Sequence, residues 1–141
     1  MQRISGNYFI VGVRYQKMSE DGTIVKVSEQ YVVEAQSWTE SESAILQELN
    51  GTEDLDITSM KKAKFNEAFV EESENMFYEV GISLVVLDEK SGKERRTKIS
   101  VLVQGESIEM VRKNTEEGMK DTMSDYVINS IKETSIVDII S

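Results

Sequence analysis

The chain aligns with itself. Val11-Gly12-Val13 matches Val80-Gly81-Ile82, and the turn Glu20-Asp21-Gly22 matches the slightly longer Glu89-Lys90-Ser91-Gly92. Tyr31-Val32-Val33-Glu34-Ala35-Gln36-Ser37 falls on Val101-Leu102-Val103-Gln104-Gly105-Glu106-Ser107, and Asp54–Lys61 falls on Asp125–Lys132. In the same register Phe65, Glu67, Ala68 and Phe69 meet Ile136, Asp138, Ile139 and Ile140. The offset creeps upward only where a loop or helix end is expected, the places that tolerate insertion best. A period of about 70 residues is too long for a solenoid, so the repetition points to a two-fold pseudosymmetric domain. We therefore expect a single domain over 1–141 with internal repeats at 8–70 and 77–140, linked through Glu71–Asn75.

Each repeat reads as strand, strand, helix, strand. Tyr8–Met18 and Ile24–Ala35 are rich in β-branched and aromatic residues, and Asp21-Gly22 between them suits a tight hairpin. Ser37-Trp38-Thr39-Glu40 is a capping box, because a Ser cap is followed three residues later by Glu. It opens a helix near Trp38–Leu49, with Trp38, Ile45 and Leu49 on one face and a stop at Asn50-Gly51. Asp56–Val70 then forms the closing strand. The second repeat places strands at Phe77–Leu87, Glu94–Val103 and Val127–Ile140, with a helix capped by Ser107 and running to Lys120. The fold class expected is α+β: a tandem duplication of this unit giving one antiparallel sheet, with two helices on one face. Apolar strands at the edges of an open sheet also predict a homo-oligomer.

Composition narrows the chemistry. The 141 residues include no His, Cys or Pro, which excludes imidazole acid/base catalysis, thiol chemistry, disulfides and His/Cys zinc sites. With 16 Lys and Arg against 26 Asp and Glu, the net charge of −10 disfavours nucleic acid and anionic membrane as partners. The longest apolar run, Leu84–Leu87, is far below the ~18 residues of a membrane span. The first residues lack a signal-peptide layout, and with zero cysteine they suggest a cytoplasmic location.

Candidate sites are few. Glu53, Asp54 and Asp56 could hold a hard cation, although Asp-x-Asp before a strand is ordinarily a solvated turn, and no metal is expected. No G-x-S-x-G elbow, S-x-x-K pair or Gly-rich phosphate loop occurs, so no enzyme activity, catalytic residue or cofactor is expected. Two basic clusters remain: Lys61, Lys62 and Lys64, and Arg95, Arg96 and Lys98. Strand alternation would send Lys62 and Lys64 to one face and Lys61 to the other, and would set Arg96 beside Lys98. Lys132 is the repeat counterpart of Lys61, so a site on the pseudo-axis would receive both. Such clusters in an acidic protein can pair with phosphate or carboxylate; otherwise they are solvated charge that protects sheet edges. Of the aromatics, Phe65 and Trp38 align with Ile136 and Ile108, which predicts core packing, whereas Tyr15 and Tyr78 remain available to stack on a base.

Three segments also carry a resemblance: Tyr31–Glu40, Leu87–Glu94, and Met123–Thr134. The first resembles a "Y-x-V-x-A-x-S-[FW]-T-E" segment, the second a "D-E-K-S-G-K-E" hairpin, and the third a C-terminal strand, all of one family. That family is a domain of unknown function carried by Bacteroidetes, their phages and mobile elements. The resemblance covers roughly Tyr8 to Ile140 and implies a small stand-alone protein encoded by a phage or mobile element, acting in the host cytoplasm. It brings no catalytic residues. Together these readings predict a non-enzymatic protein that sequesters a small anionic, nucleotide-type signal in a symmetric oligomer. The ligand residues expected are Lys61, Lys62, Lys64, Arg95, Arg96, Lys98, Lys132, Tyr15 and Tyr78. The alternatives are a protein–protein inhibitor of a host factor and a structural or assembly accessory of a phage particle.

Overall fold

Two long hairpins dominate the structure, a computed structural model that describes residues 1–141. In chain order the elements are β1 (Gln2–Ser5), β2 (Tyr8–Met18), β3 (Ile24–Glu34), α1 (Trp38–Glu48), β4 (Asp56–Lys62) and β5 (Glu67–Val70). There follow β6 (Phe77–Leu87), β7 (Glu94–Gln104), α2 (Ile108–Met119), β8 (Asp125–Glu133) and β9 (Ile136–Ile140). β2 and β3 pair from Tyr8↔Glu34 out to Met18↔Ile24, and β6 and β7 pair from Phe77↔Gln104 to Leu87↔Glu94. Both turns use glycine at positive φ, Gly22 at 84° and Gly92 at 69°. At the first turn the Ser19 hydroxyl and the Thr23 amide donate to Asp21, which holds its carboxyl down at about 2. Each helix begins at an extended serine whose hydroxyl accepts from a backbone amide in the first turn. Ser37 (φ −150°) accepts from Glu40 at 3.0 Å, and Ser107 (φ −148°) from Met110 at 3.1 Å.

The expected single antiparallel sheet does not form. The strands make two sheets, ordered β1-β5-β7-β6-β8 and β4-β2-β3-β9, and each sheet contains one parallel pair. The expected strand Asp56–Val70 breaks at 63–66, and Val127–Ile140 breaks at 134–135. After each break the chain joins the other sheet: β5 lies parallel to β7, and β9 lies parallel to β3. The two compact units are therefore discontinuous in sequence, one comprising 1–5 and 64–134, the other 6–63 and 135–141. The expected linker Glu71–Asn75 lies inside the first of these.

Burial explains the exchange. In β5 the neighbours Ala68 and Phe69 are both buried, so this strand is covered on both faces, as parallel strands generally are. Phe69 joins a core with Tyr78, Val80, Val101, Val103 and, from α2, Val111 and Met119. Ile140 joins Phe9, Val11, Val13, Tyr31, Val33 and, from α1, Ile45. Each core thus contains a residue from the other repeat. Phe65 is buried as expected, but Trp38 is not: it is 52% exposed, like its counterpart Ile108 at 55%. The Phe9 ring meets the indole edge-on at 4.8 Å.

Both sheets shift register at a glycine. β4 bulges against Gly12/Val13, and β8 against Gly81/Ile82. A Cβ at Gly12 would collide with the Ser59 hydroxyl, and one at Gly81 would stand 2.6 Å from that of Ser130. The bulge turns a serine across the glycine, so a Cβ there would have to displace the serine hydroxyl.

Tyr31 supplies a pH-dependent test of the 6–63 unit. Burial, then the neighbouring Glu29 charge, pushes its phenol up to about 12. An unfolded tyrosine titrates near pH ~10. The stability held by neutral Tyr31 is thus complete below that pH and declines as pH rises through about 12. Tyr31→Phe should show a shallower alkaline loss of ellipticity between these limits than the parent chain, with no difference at neutral pH.

Candidate functional site

The exchange of β5 creates the most distinctive groove. β5 contacts β7 only at Ala68↔Leu102 and Phe69↔Val103, and the preceding residues leave the β7 edge through the bend at 63–66. The gap is a groove of about 580 Å³ lined by Lys64, Asn66, Glu67 and Lys98–Val101. Lys64 comes from the bend and Lys98 from β7, so side chains far apart in sequence line one groove. Glu67 forms an ion pair with Arg3, raising the Arg3 guanidinium above its ordinary value. Arg3 is held in turn by the Gly118 carbonyl at 3.0 Å and lies 5.5 Å from the Phe69 ring centroid. The other ion pair in the chain joins the Met1 amine to Glu71, so neither Lys64 nor Lys98 is neutralised by a carboxylate. The Ser100 hydroxyl donates to Glu79 at 2.9 Å.

The other unit has a smaller groove of about 230 Å³, lined by Gly12, Val13, Ser28–Gln30, Thr58, Ser59 and Ser135. In repeat register Ser135 stands where Lys64 does and Ser28 where Lys98 does. No cation lines it. Its Glu29 accepts hydrogen bonds from the hydroxyls of Tyr15 at 2.6 Å and Tyr31 at 3.3 Å. A third cleft, about 380 Å³, sets Arg14 and Lys26 beside Asp54 and Asp56 with Tyr15, so opposite charges share its walls. No three acidic side chains in the chain converge as a cation site would need.

Of the expected ligand residues, the structure brings together Lys64 and Lys98. Lys62 and Lys64 do not alternate along one strand, because β4 ends at Lys62 and Lys64 lies in the bend. Lys62 instead donates to the Tyr8 carbonyl at 3.3 Å and sits 5.3 Å from the Phe9 ring centroid. Lys61 lies opposite Ile10, and Lys132 opposite Glu79, at equivalent places in their own sheets. Arg95 and Arg96 are exposed farther along β7, outside the groove, with Arg96 and Lys98 on one face. Tyr15 is tied to Glu29, and Tyr78 is 5% exposed within the core. Asn66 and Ser100 lie outside the expected set. Their signal in the sequence is the loss of alternation at 63–69, which marks the bend that opens the groove.

The chain belongs to the family described as Domain of unknown function (DUF4494), which matches residues 7–141. No curated protein and no solved structure matches it.

Proposed function

We propose that this protein is a non-enzymatic binder that holds a small anionic ligand of nucleotide type in the Lys64–Lys98 groove. The observation that carries this reading is that two lysines without carboxylate partners line one groove, in a chain of net charge −10. The groove volume, about 580 Å³, is of the size that small ligands fill. Lysine is a compact point charge able to meet a phosphate from several directions, and Asn66 adds amide donors beside it. Glu67 is committed to Arg3 and the chain has no histidine or cysteine, which favours retention of the ligand over its turnover.

In this reading the protein is a sequestering agent encoded by a phage or mobile element, acting in the host cytoplasm as a symmetric oligomer. Competing with a signal receptor requires roughly nanomolar affinity, about −12 kcal/mol. The matched serine caps, glycine bulges and exchanged strands support descent of the two repeats from a tandem duplication. One repeat then kept or acquired the lysines, and the other carries serines at the same places. A second reading, inhibition of another protein, is favoured by one observation, the unpaired edge of β7 beyond the groove.

Native mass spectrometry of the protein purified from cells with active nucleotide-based defence tests the first reading. An oligomer with a few hundred daltons of retained mass per site is the expected result. A ligand-free species that also fails to take up added nucleotides would contradict it.

A further inference from the structure

β6 pairs with β7 along its whole length, but on the opposite side β5 covers only Leu102 and Val103. From Glu94 to Val101 the β7 backbone therefore has an unpaired edge, and 94–98 are exposed. An unpaired edge is a template for another strand unless its side chains forbid pairing. Arg95, Arg96 and Lys98 line this one, and none takes part in the chain's two ion pairs. Arg96 and Lys98 stand two residues apart on one face, opposite Val85 and Ser83. Such an edge repels a basic strand and attracts one with acids at alternate positions, whose side chains come within reach of both cations. The corresponding edge of β3, from Ile24 to Glu29 beside β9, has Lys26 and Glu29 and no run of cations, so the equivalent edge of the other sheet lacks this property.

We propose that the free edge of β7 receives an extended acidic segment of another protein, which adds to the sheet as a further strand. Backbone hydrogen bonds supply most of the affinity, and Arg95, Arg96 and Lys98 select for acidic side chains. This surface shares Lys98–Val101 with the anion groove and extends past it to Arg95 and Arg96, which lie outside the groove.

The test uses the full chain and a terminally blocked ten-residue peptide alternating Glu with Thr, followed by amide hydrogen exchange. Peptide binding is expected to slow exchange of amides within 94–101 at least tenfold. Arg95→Glu with Arg96→Glu should weaken the peptide at least tenfold while leaving pyrophosphate binding at Lys64 and Lys98 in place. The same peptide N-methylated at alternate residues should not bind, a control that requires no variant protein. Equal binding of the N-methylated peptide would overturn the proposal, since contact would then be charge alone. So would unchanged exchange at saturating peptide, or protection that rises with protein concentration alone, which would assign the edge to a second copy.

Discussion

Replacing Phe69 by alanine should cost about 3–5 kcal/mol, with the damage falling on the β1-β5-β7-β6-β8 sheet. Phe69 belongs by sequence to the first repeat, yet its ring is fully buried against Val80, Val103, Val111 and other residues of the 64–134 unit. Native-state hydrogen exchange reads the location of the damage directly: amides of 77–104 and 125–133 should accelerate more than those of 8–34. Ile140→Ala is the reciprocal variant, because Ile140 packs in the core of the 6–63 unit. It should cost about 2–4 kcal/mol and accelerate 8–34 more than 77–104. The opposite pattern in either variant would mean that each repeat keeps its own closing strand.

Gly118→Ala is the second large effect, and its sign runs against helix propensity. Gly118 lies in α2, where alanine should gain about 1 kcal/mol in an exposed helix. A Cβ there would instead stand 2.5, 2.6 and 2.9 Å from three ring atoms of Phe69. That ring is fully buried and cannot swing away, so the overpacking, about 1–3 kcal/mol or more, outweighs the propensity gain. A net loss of up to about 2 kcal/mol in chemical denaturation is expected. In a Phe69→Leu background the same substitution should be neutral or stabilising. Equal losses in both backgrounds would show that the ring is not what excludes the methyl group.

Much of the fold is legible in the sequence. The strands Tyr8–Met18 and Phe77–Leu87 have the expected limits, because runs rich in β-branched and aromatic residues end at Gly-containing turns. The helices start where the serine caps place them. What the sequence hides is partnership. Asp56–Val70 contains enough β-forming residues for one strand, and local patterning cannot show that its last four residues join a different sheet. The consecutive burial of Ala68 and Phe69 is the trace of that choice, since a strand with one solvated face would alternate. Trp38 differs for a related reason: helical periodicity puts it on the face of Ile45, but at the first helical position it stays half exposed, with the Phe9 ring against it. The candidate site is half visible. Lys64 and Lys98 are both conspicuous as cations, but their meeting depends on the bend at 63–66, and Asn66 and Ser100 carry no chemical signature of their own.

The most direct test of the anion groove is a nuclear magnetic resonance titration of the chain with inorganic pyrophosphate, following amides 64–67 and 98–101. Saturable shifts are expected there, weakening with added salt because the contacts are exposed ammonium groups. Lys64→Ala combined with Lys98→Ala should weaken binding at least tenfold without lowering thermal stability. Shifts confined to other residues, or full binding by the double variant, would contradict the account.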